Sequence, residues 1–251
     1  MPENVWPKHV RDVHATRSNV HATKYNARVT NGVSMQQEQM IEVQIKGRGI
    51  NDPQVIAALY NVRREQFVPK DIAAHAYEDR PLPIGFDQTI SQPYIVAFMT
   101  EAAQLKSLDR VLEVGTGSGY QAAVLSKIVK EVFSIEIVEP LGIHSKELLS
   151  KLGYRNIQIK IGDGYQGWKE HAPFDAILVT AAPPEVPSPL IEQLKLGGRL
   201  VLPIGREIQD LVRITKTKTG LKKETLLSVR FVPMTGEAQI KRKSIKNPKL
   251  D

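Results

Sequence analysis

The run Arg110-Val111-Leu112-Glu113-Val114-Gly115-Thr116-Gly117-Ser118-Gly119-Tyr120-Gln121 decides the fold. Its apolar residues through Val114 predict a buried strand, its three glycines a tight turn, and the residues from Gly119 onward a helix. Glycine there lets the backbone turn sharply and approach a ligand that a Cβ would repel. The dinucleotide fingerprint G-x-G-x-x-G asks for a third glycine five residues after the first, where this chain has Tyr120. What stands instead is E-x-G-x-G-x-G.

On either side the chain has the pattern of an α/β domain. Strands are predicted at 110–114, 132–137, 157–161, 175–179 and 199–203, with helices at 119–129, 140–152 and 187–194 between them. Apolar strands alternating with helices argue for a parallel sheet. No helix is predicted between 211–217 and 225–232, so the last two strands are expected to be antiparallel. Upstream, Asp52-Pro53 is placed as N-cap and first residue of a helix, and Ser91-Gln92-Pro93 opens another that runs to Leu105. The stretch 62–92 is expected to be irregular with one short helix, and 80–92 a loop ending on a helix N-terminus. The fold class is therefore α/β: a Rossmann-like sheet, mostly parallel with antiparallel C-terminal strands, plus an N-terminal helical extension.

The acid at the end of the first strand, Glu113, would repel a pyrophosphate but suits a ligand carrying an ammonium and a sulfonium group. S-adenosyl-L-methionine is such a ligand. Gly115, Gly117, Ser118 and Gly119 are its expected loop contacts. Glu136, 21 residues after Gly115 at the end of the next apolar strand, is positioned to accept both ribose hydroxyls. Asp163, in Gly162-Asp163-Gly164 after the third strand, can accept from an adenine amino group, with Gly164 beside it. One acid at a strand end is an ordinary surface residue; three in register with three successive strands are a binding site.

Composition sets the outer bounds. The 251 residues are 41% hydrophobic and 24% charged, which supports a packed core and excludes collagen-like and wholly disordered chains. The formal charge is +7, a value that suggests nucleic acid until it is located. Residues 1–34 carry five basic and two acidic side chains, and 239–251 five and one; 35–238 carry 24 of each. All of the excess thus lies in the two ends, and the body is neutral. We read 1–34 as a disordered basic tail containing a tandem repeat (Val13–Asn19, Val20–Asn26), 35–238 as the folded domain and 239–251 as a basic C-terminal tail. The tail histidines His9, His14 and His21 do not complete a ligand set, so no metal is expected. With no cysteine, thiolate and disulfide chemistry are excluded, which fits a reducing compartment. No signal peptide or apolar span of membrane length is legible, so a soluble cytoplasmic protein is expected, with no membrane and no nucleic-acid partner.

The segment Pro81-Leu82-Pro83-Ile84-Gly85-Phe86-Asp87-Gln88-Thr89-Ile90-Ser91-Gln92-Pro93-Tyr94, taken with the glycine loop, resembles the protein-L-isoaspartate O-methyltransferases. So do Phe174-Asp175-Ala176-Ile177-Leu178-Val179-Thr180-Ala181-Ala182-Pro183, Gly197-Gly198-Arg199-Leu200-Val201-Leu202-Pro203-Ile204-Gly205 and Arg230-Phe231-Val232-Pro233. The glycine loop alone would indicate only a class I methyltransferase; Thr89-Ile90-Ser91-Gln92-Pro93 narrows it. The resemblance implies methyl transfer from S-adenosylmethionine to the free α-carboxylate of L-isoaspartyl peptides and proteins, with repair through a succinimide, by a monomer. It implies Ser91 as the active-site residue, Thr89 and Ile90 on the cofactor pocket, and Ser91, Gln92 and Val232 against the substrate. By sequence alone Ser91 could equally be a plain helix N-cap. A carboxylate is already ionised at neutral pH and needs no general base, which agrees with the lack of any Ser-His or His-Asp pairing. The alternatives are a class I methyltransferase acting on RNA or a small molecule, with the basic ends gripping phosphate, and a cofactor-binding module without catalysis.

Overall fold

The computed structural model describes residues 34–239. The expectations for the two basic ends therefore fall largely on residues outside the described ones. A short helix α1 (Met35–Gln39) passes into a π-helical turn (Met40–Ile45) and is followed by α2 (Pro53–Asn61). After a hairpin of β1 (Leu82–Gly85) and β2 (Gln88–Ile90) comes α3 (Pro93–Ala102). The α/β body then runs β3 (Arg110–Val114), α4 (Tyr120–Ser126), β4 (Glu131–Glu136), α5 (Glu139–Lys151), β5 (Ile157–Ile161), β6 (Phe174–Val179), α6 (Ser188–Glu192) and β7 (Leu194–Gly205). It ends on β8 (Gln209–Thr217) and β9 (Gly220–Val229).

Seven strands form one sheet in the order β5-β4-β3-β6-β7-β8-β9. The pairs from β5 to β7 are parallel, and β7–β8 and β8–β9 are antiparallel, as the missing helix after β8 requires. The order reverses at β3: the chain moves outward through β4 and β5, then returns to place β6 on the other flank of β3. A parallel sheet opens a crevice at the carboxyl ends of its strands where the order reverses. The glycine loop leaves β3 at that point.

The period of two along β3 sends Val111 into the apolar layer shared with the N-terminal helices, and Leu112 and Val114 into the layer beneath Phe133, Phe174 and Leu200. Helix α2 begins as expected, with Asp52 Oδ1 accepting from the amides of Gln54 (2.8 Å) and Val55 (3.2 Å) and Pro53 in the first turn.

Four expectations are corrected. Residues 80–92 are not simply a loop: Leu82 pairs with Ile90 and Pro83 with Thr89 in the β1–β2 hairpin. The turn carries Phe86 and Asp87 at φ 53° and 56°, without the glycine or asparagine that usually announces such a turn. Upstream of it stand two 3-10 segments, Arg64–Phe67 and Lys70–His75, not one helix. Helix α3 stops at Ala102 rather than Leu105, two residues before Gln104 adopts φ 51°. Finally, β7 begins at Leu194, where it pairs with Phe174 before a bulge, and so takes residues expected of the preceding loop.

Replacing Asp52 by Ala removes both capping bonds of α2. It is expected to lower folding stability by ~1 kcal/mol in urea denaturation while leaving ligand binding at the sheet crevice unchanged.

Candidate functional site

The crevice at the ends of β3, β4 and β6 is a cleft partly open to solvent. Its floor is the glycine loop. Gly115 has φ 99°, and a Cβ there would lie 2.3 Å from Thr180 Oγ1; a Cβ on Gly164 would lie 2.3 Å from Val114 Cγ1. The loop is held from both sides: the Thr180 hydroxyl donates to the Gly115 carbonyl at 2.7 Å, and the Ser145 hydroxyl of α5 donates to the Gly117 carbonyl at 2.5 Å.

Glu136 closes β4 with its carboxylate on the cleft wall. One oxygen accepts from the Gly117 amide at 2.7 Å and the other from the Val138 amide at 2.9 Å. These bonds fix the carboxylate and leave lone pairs for ligand hydroxyls. Asp163 accepts from the Tyr165 amide (2.9 Å) and the Glu237 amide (2.7 Å), which ties the C-terminal segment carrying Met234 and Thr235 to the rim. Residues 89–91 cross from the hairpin to α3 along the opposite side. The N-cap of α3 is Gln92, with no side-chain capping bond, so Ser91 is not the cap. Among the described residues the Ser91 hydroxyl has no hydrogen bond recorded to the protein, and it lines the cleft.

Of the expected residues, Thr89, Ile90, Ser91, Gly115, Gly117, Ser118, Glu136, Asp163, Gly164 and Val232 all line this one cleft. Three do not. Gln92 turns away and donates from Nε2 to the Asp79 carbonyl at 3.1 Å. Gly119, at φ 84°, lets Leu149 of α5 approach to where a Cβ would sit 3.1 Å away, so it serves helix packing. Glu113 points off the wall because the strand period places it opposite Ser134, on the buried face. It is wholly buried, and one oxygen accepts from the Ser134 hydroxyl, which in turn lies 2.5 Å from Thr116 Oγ1. Its other oxygen, Oε1, has no partner among the described residues. Burial pushes the Glu113 carboxyl up to about 8 despite the Ser134 bond, and the charge of Glu136 adds to the rise.

Thr180, Tyr120, Thr116 and Val138 line the cleft and were not anticipated. Thr180 was findable: it is the polar residue closing the apolar run of β6, and ligands gather at the carboxyl ends of such strands. The residues fit S-adenosylmethionine: a glycine loop on the cleft floor with no side chains of its own at Gly115 and Gly117, an amide-fixed acid at the end of β4, and, among the described residues, no lysine or arginine on the wall to favour a phosphate. Among the described residues no group of three or more metal-ligating side chains is present, and no helix is long and apolar enough to cross a membrane.

Comparison with known proteins agrees with this geometry. The family model for protein-L-isoaspartate(D-aspartate) O-methyltransferase matches residues 35–239. A protein-L-isoaspartate O-methyltransferase of Picosynechococcus sp. is 55% identical over 201 residues, 80% of this chain and 90% of its own. One from Syntrophus aciditrophicus is 53% identical over 206 residues, covering 80% and 94%. A solved protein-L-isoaspartate O-methyltransferase superimposes with TM-score 0.74 at 31% identity, over 82% of this chain and 69% of that one. A Plasmodium falciparum protein described under the same activity, in complex with S-adenosyl-L-homocysteine, gives TM-score 0.70 at 30% identity over 80% and 98%.

Because the folded carboxyl of Glu113 titrates at about 8 and an unfolded one near 4.5, the folded chain keeps a proton the unfolded chain has lost between those values. This group therefore favours the fold at low pH, and that contribution disappears as pH rises through about 8. Glu113→Gln is expected to flatten the fall in melting temperature of ligand-free protein between about pH 4.5 and pH 8. An unchanged pH profile would show that the carboxyl is not protonated in the fold.

Proposed function

The chain belongs to the protein-L-isoaspartate(D-aspartate) O-methyltransferase family, so it is a class I methyltransferase acting on isoaspartyl residues, and we propose how its own side chains perform that transfer. S-adenosylmethionine, when bound, supplies an electrophilic methyl carbon on a sulfonium. Gly115, Gly117 and Ser118 hold its amino-acid portion, Glu136 its ribose hydroxyls, and Asp163 and Gly164 its adenine. Thr89 and Ile90 cover it from the hairpin side.

The observation that carries this reading is the Ser91 hydroxyl. Ser91 lines the cleft that holds the glycine loop and Glu136, and it is not the N-cap of α3. A hydroxyl there can donate to the free α-carboxylate of an isoaspartyl residue and aim one oxygen at the methyl carbon. The start of α3 lacks a side-chain cap and adds amide donors beside it. The carboxylate is already ionised, so no base is required, and the rate enhancement comes from approximation and removal of water. Val232, bonded through its carbonyl to the Ala182 amide at 2.8 Å, forms the rim on which the peptide lies. The methyl ester formed is a better acyl electrophile than the carboxylate, because methanol can leave from it. Attack by the following backbone nitrogen expels methanol and closes a succinimide, which water reopens in part to normal aspartate.

The catalytic unit is taken as 35–238, supported by the extent of the family match, with the two basic ends outside it. The lack of cysteine supports a cytoplasmic setting.

An isoaspartyl peptide is expected to accept methyl label and its aspartyl twin to accept none, with RNA unlabelled; equal labelling of the twins would sink this reading. Ser91→Ala is expected to keep cofactor affinity and lose about ten- to hundredfold in kcat, the worth of one hydrogen bond to a charged group. Turnover unchanged in that variant would remove Ser91 from the chemistry.

A further inference from the structure

Arg64 is fully buried, at 0% exposure, and among the described residues it has no carboxylate within ion-pair distance. Burying a cation without a counter-ion is costly to the fold unless something else requires it there. Its Nε donates to the Ala76 carbonyl and its Nη2 to the Ser91 carbonyl, both at 2.7 Å. Its guanidinium carbon sits 4.8 Å from the centre of the Tyr120 ring. Nη1 makes no hydrogen bond. Burial lowers its pKa to about 10, so it remains charged near neutral pH.

These three contacts join the two walls of the cleft from behind. Ser91 belongs to the hairpin side, and Tyr120 opens α4 directly after the glycine loop; both line the cleft. Ser91 lies between a strand of three residues and a helix whose first turn has no side-chain cap, so its own element does little to fix its peptide. A second tie, from Gln92 Nε2 to the Asp79 carbonyl, reaches the same 76–79 segment from the next residue.

Resting on the assignment of Ser91 above, we propose that Arg64 is a positioning residue: it fixes the Ser91 peptide by its carbonyl and so sets where the Ser91 hydroxyl points relative to the methyl donor. Only a planar guanidinium holds two carbonyls at fixed angles while stacking on a ring; a lysine supplies the charge and one contact but not the fork.

The test is a double-mutant cycle on the full chain with an isoaspartyl peptide. Arg64→Lys is expected to fold, to bind S-adenosyl-L-homocysteine within about threefold of wild type, and to lose roughly a hundredfold in kcat, the scale of a small misplacement of reacting groups. In the Ser91→Ala background the same change is expected to cost less than about threefold, because the hydroxyl it aims is gone. An equal loss in both backgrounds, or a loss explained by weaker cofactor binding, would make Arg64 a structural residue and overturn the proposal. Should Arg64→Lys fail to fold, Gln92→Leu, which cuts the exposed tie, is expected to lower kcat about threefold at unchanged cofactor affinity; no change in kcat would overturn it as well. Failure of the functional assignment itself reads differently, as a wild-type chain that does not methylate the isoaspartyl peptide.

Discussion

The parallel pairing of β3 with β4 on one side and β6 on the other is the constraint on which the rest of this structure depends. A central strand covered on both faces must be apolar, and Val111, Leu112 and Val114 meet that demand. Where the strand ends, its neighbours end too, and their last residues converge: Glu136 from β4, and Thr180 just past β6. Thr180 and Glu136 then bond to the backbone of the glycine loop, at Gly115 and Gly117, so the loop is shaped by its flanking strands and not by its glycines alone.

The buried polar groups around the cleft divide by how they are satisfied. Glu136 and Asp163 each accept two backbone amides, an arrangement that keeps a carboxylate in place near an apolar sheet. Glu113 has a single hydroxyl partner and a bare second oxygen, and the carboxyl responds by holding its proton. Arg64 cannot neutralise itself at working pH and, among the described residues, is compensated by carbonyls, a ring face and the more distant charge of Asp79. Such residues are poor choices for stability alone. Glu113 lies beneath the glycine loop and Arg64 behind Ser91, the residue we propose for the chemistry.

The body over residues 35–238 is formally neutral, with 24 basic and 24 acidic side chains. The excess positive charge sits in residues 1–34 and 239–251, apart from the motif-bearing region.

The sequence by itself determined the sheet, the glycine loop, the antiparallel end and most of the cleft wall. Those features follow from local patterns: apolar periodicity, glycine spacing, and polar residues at strand ends. It could not decide the hairpin over 82–90, whose turn uses Phe86 and Asp87 and whose strands exist only because Leu82 and Ile90 pair and are buried together. Nor could it decide that Glu113 faces inward while Ser91 faces the cleft. A side chain's direction at the end of a strand or before a helix depends on register with Ser134 and on where the helix begins. It could not find Arg64, which reads as one of two adjacent arginines until tertiary packing buries it. These were settled by contacts between residues far apart in the chain, and such contacts leave no periodic trace along it.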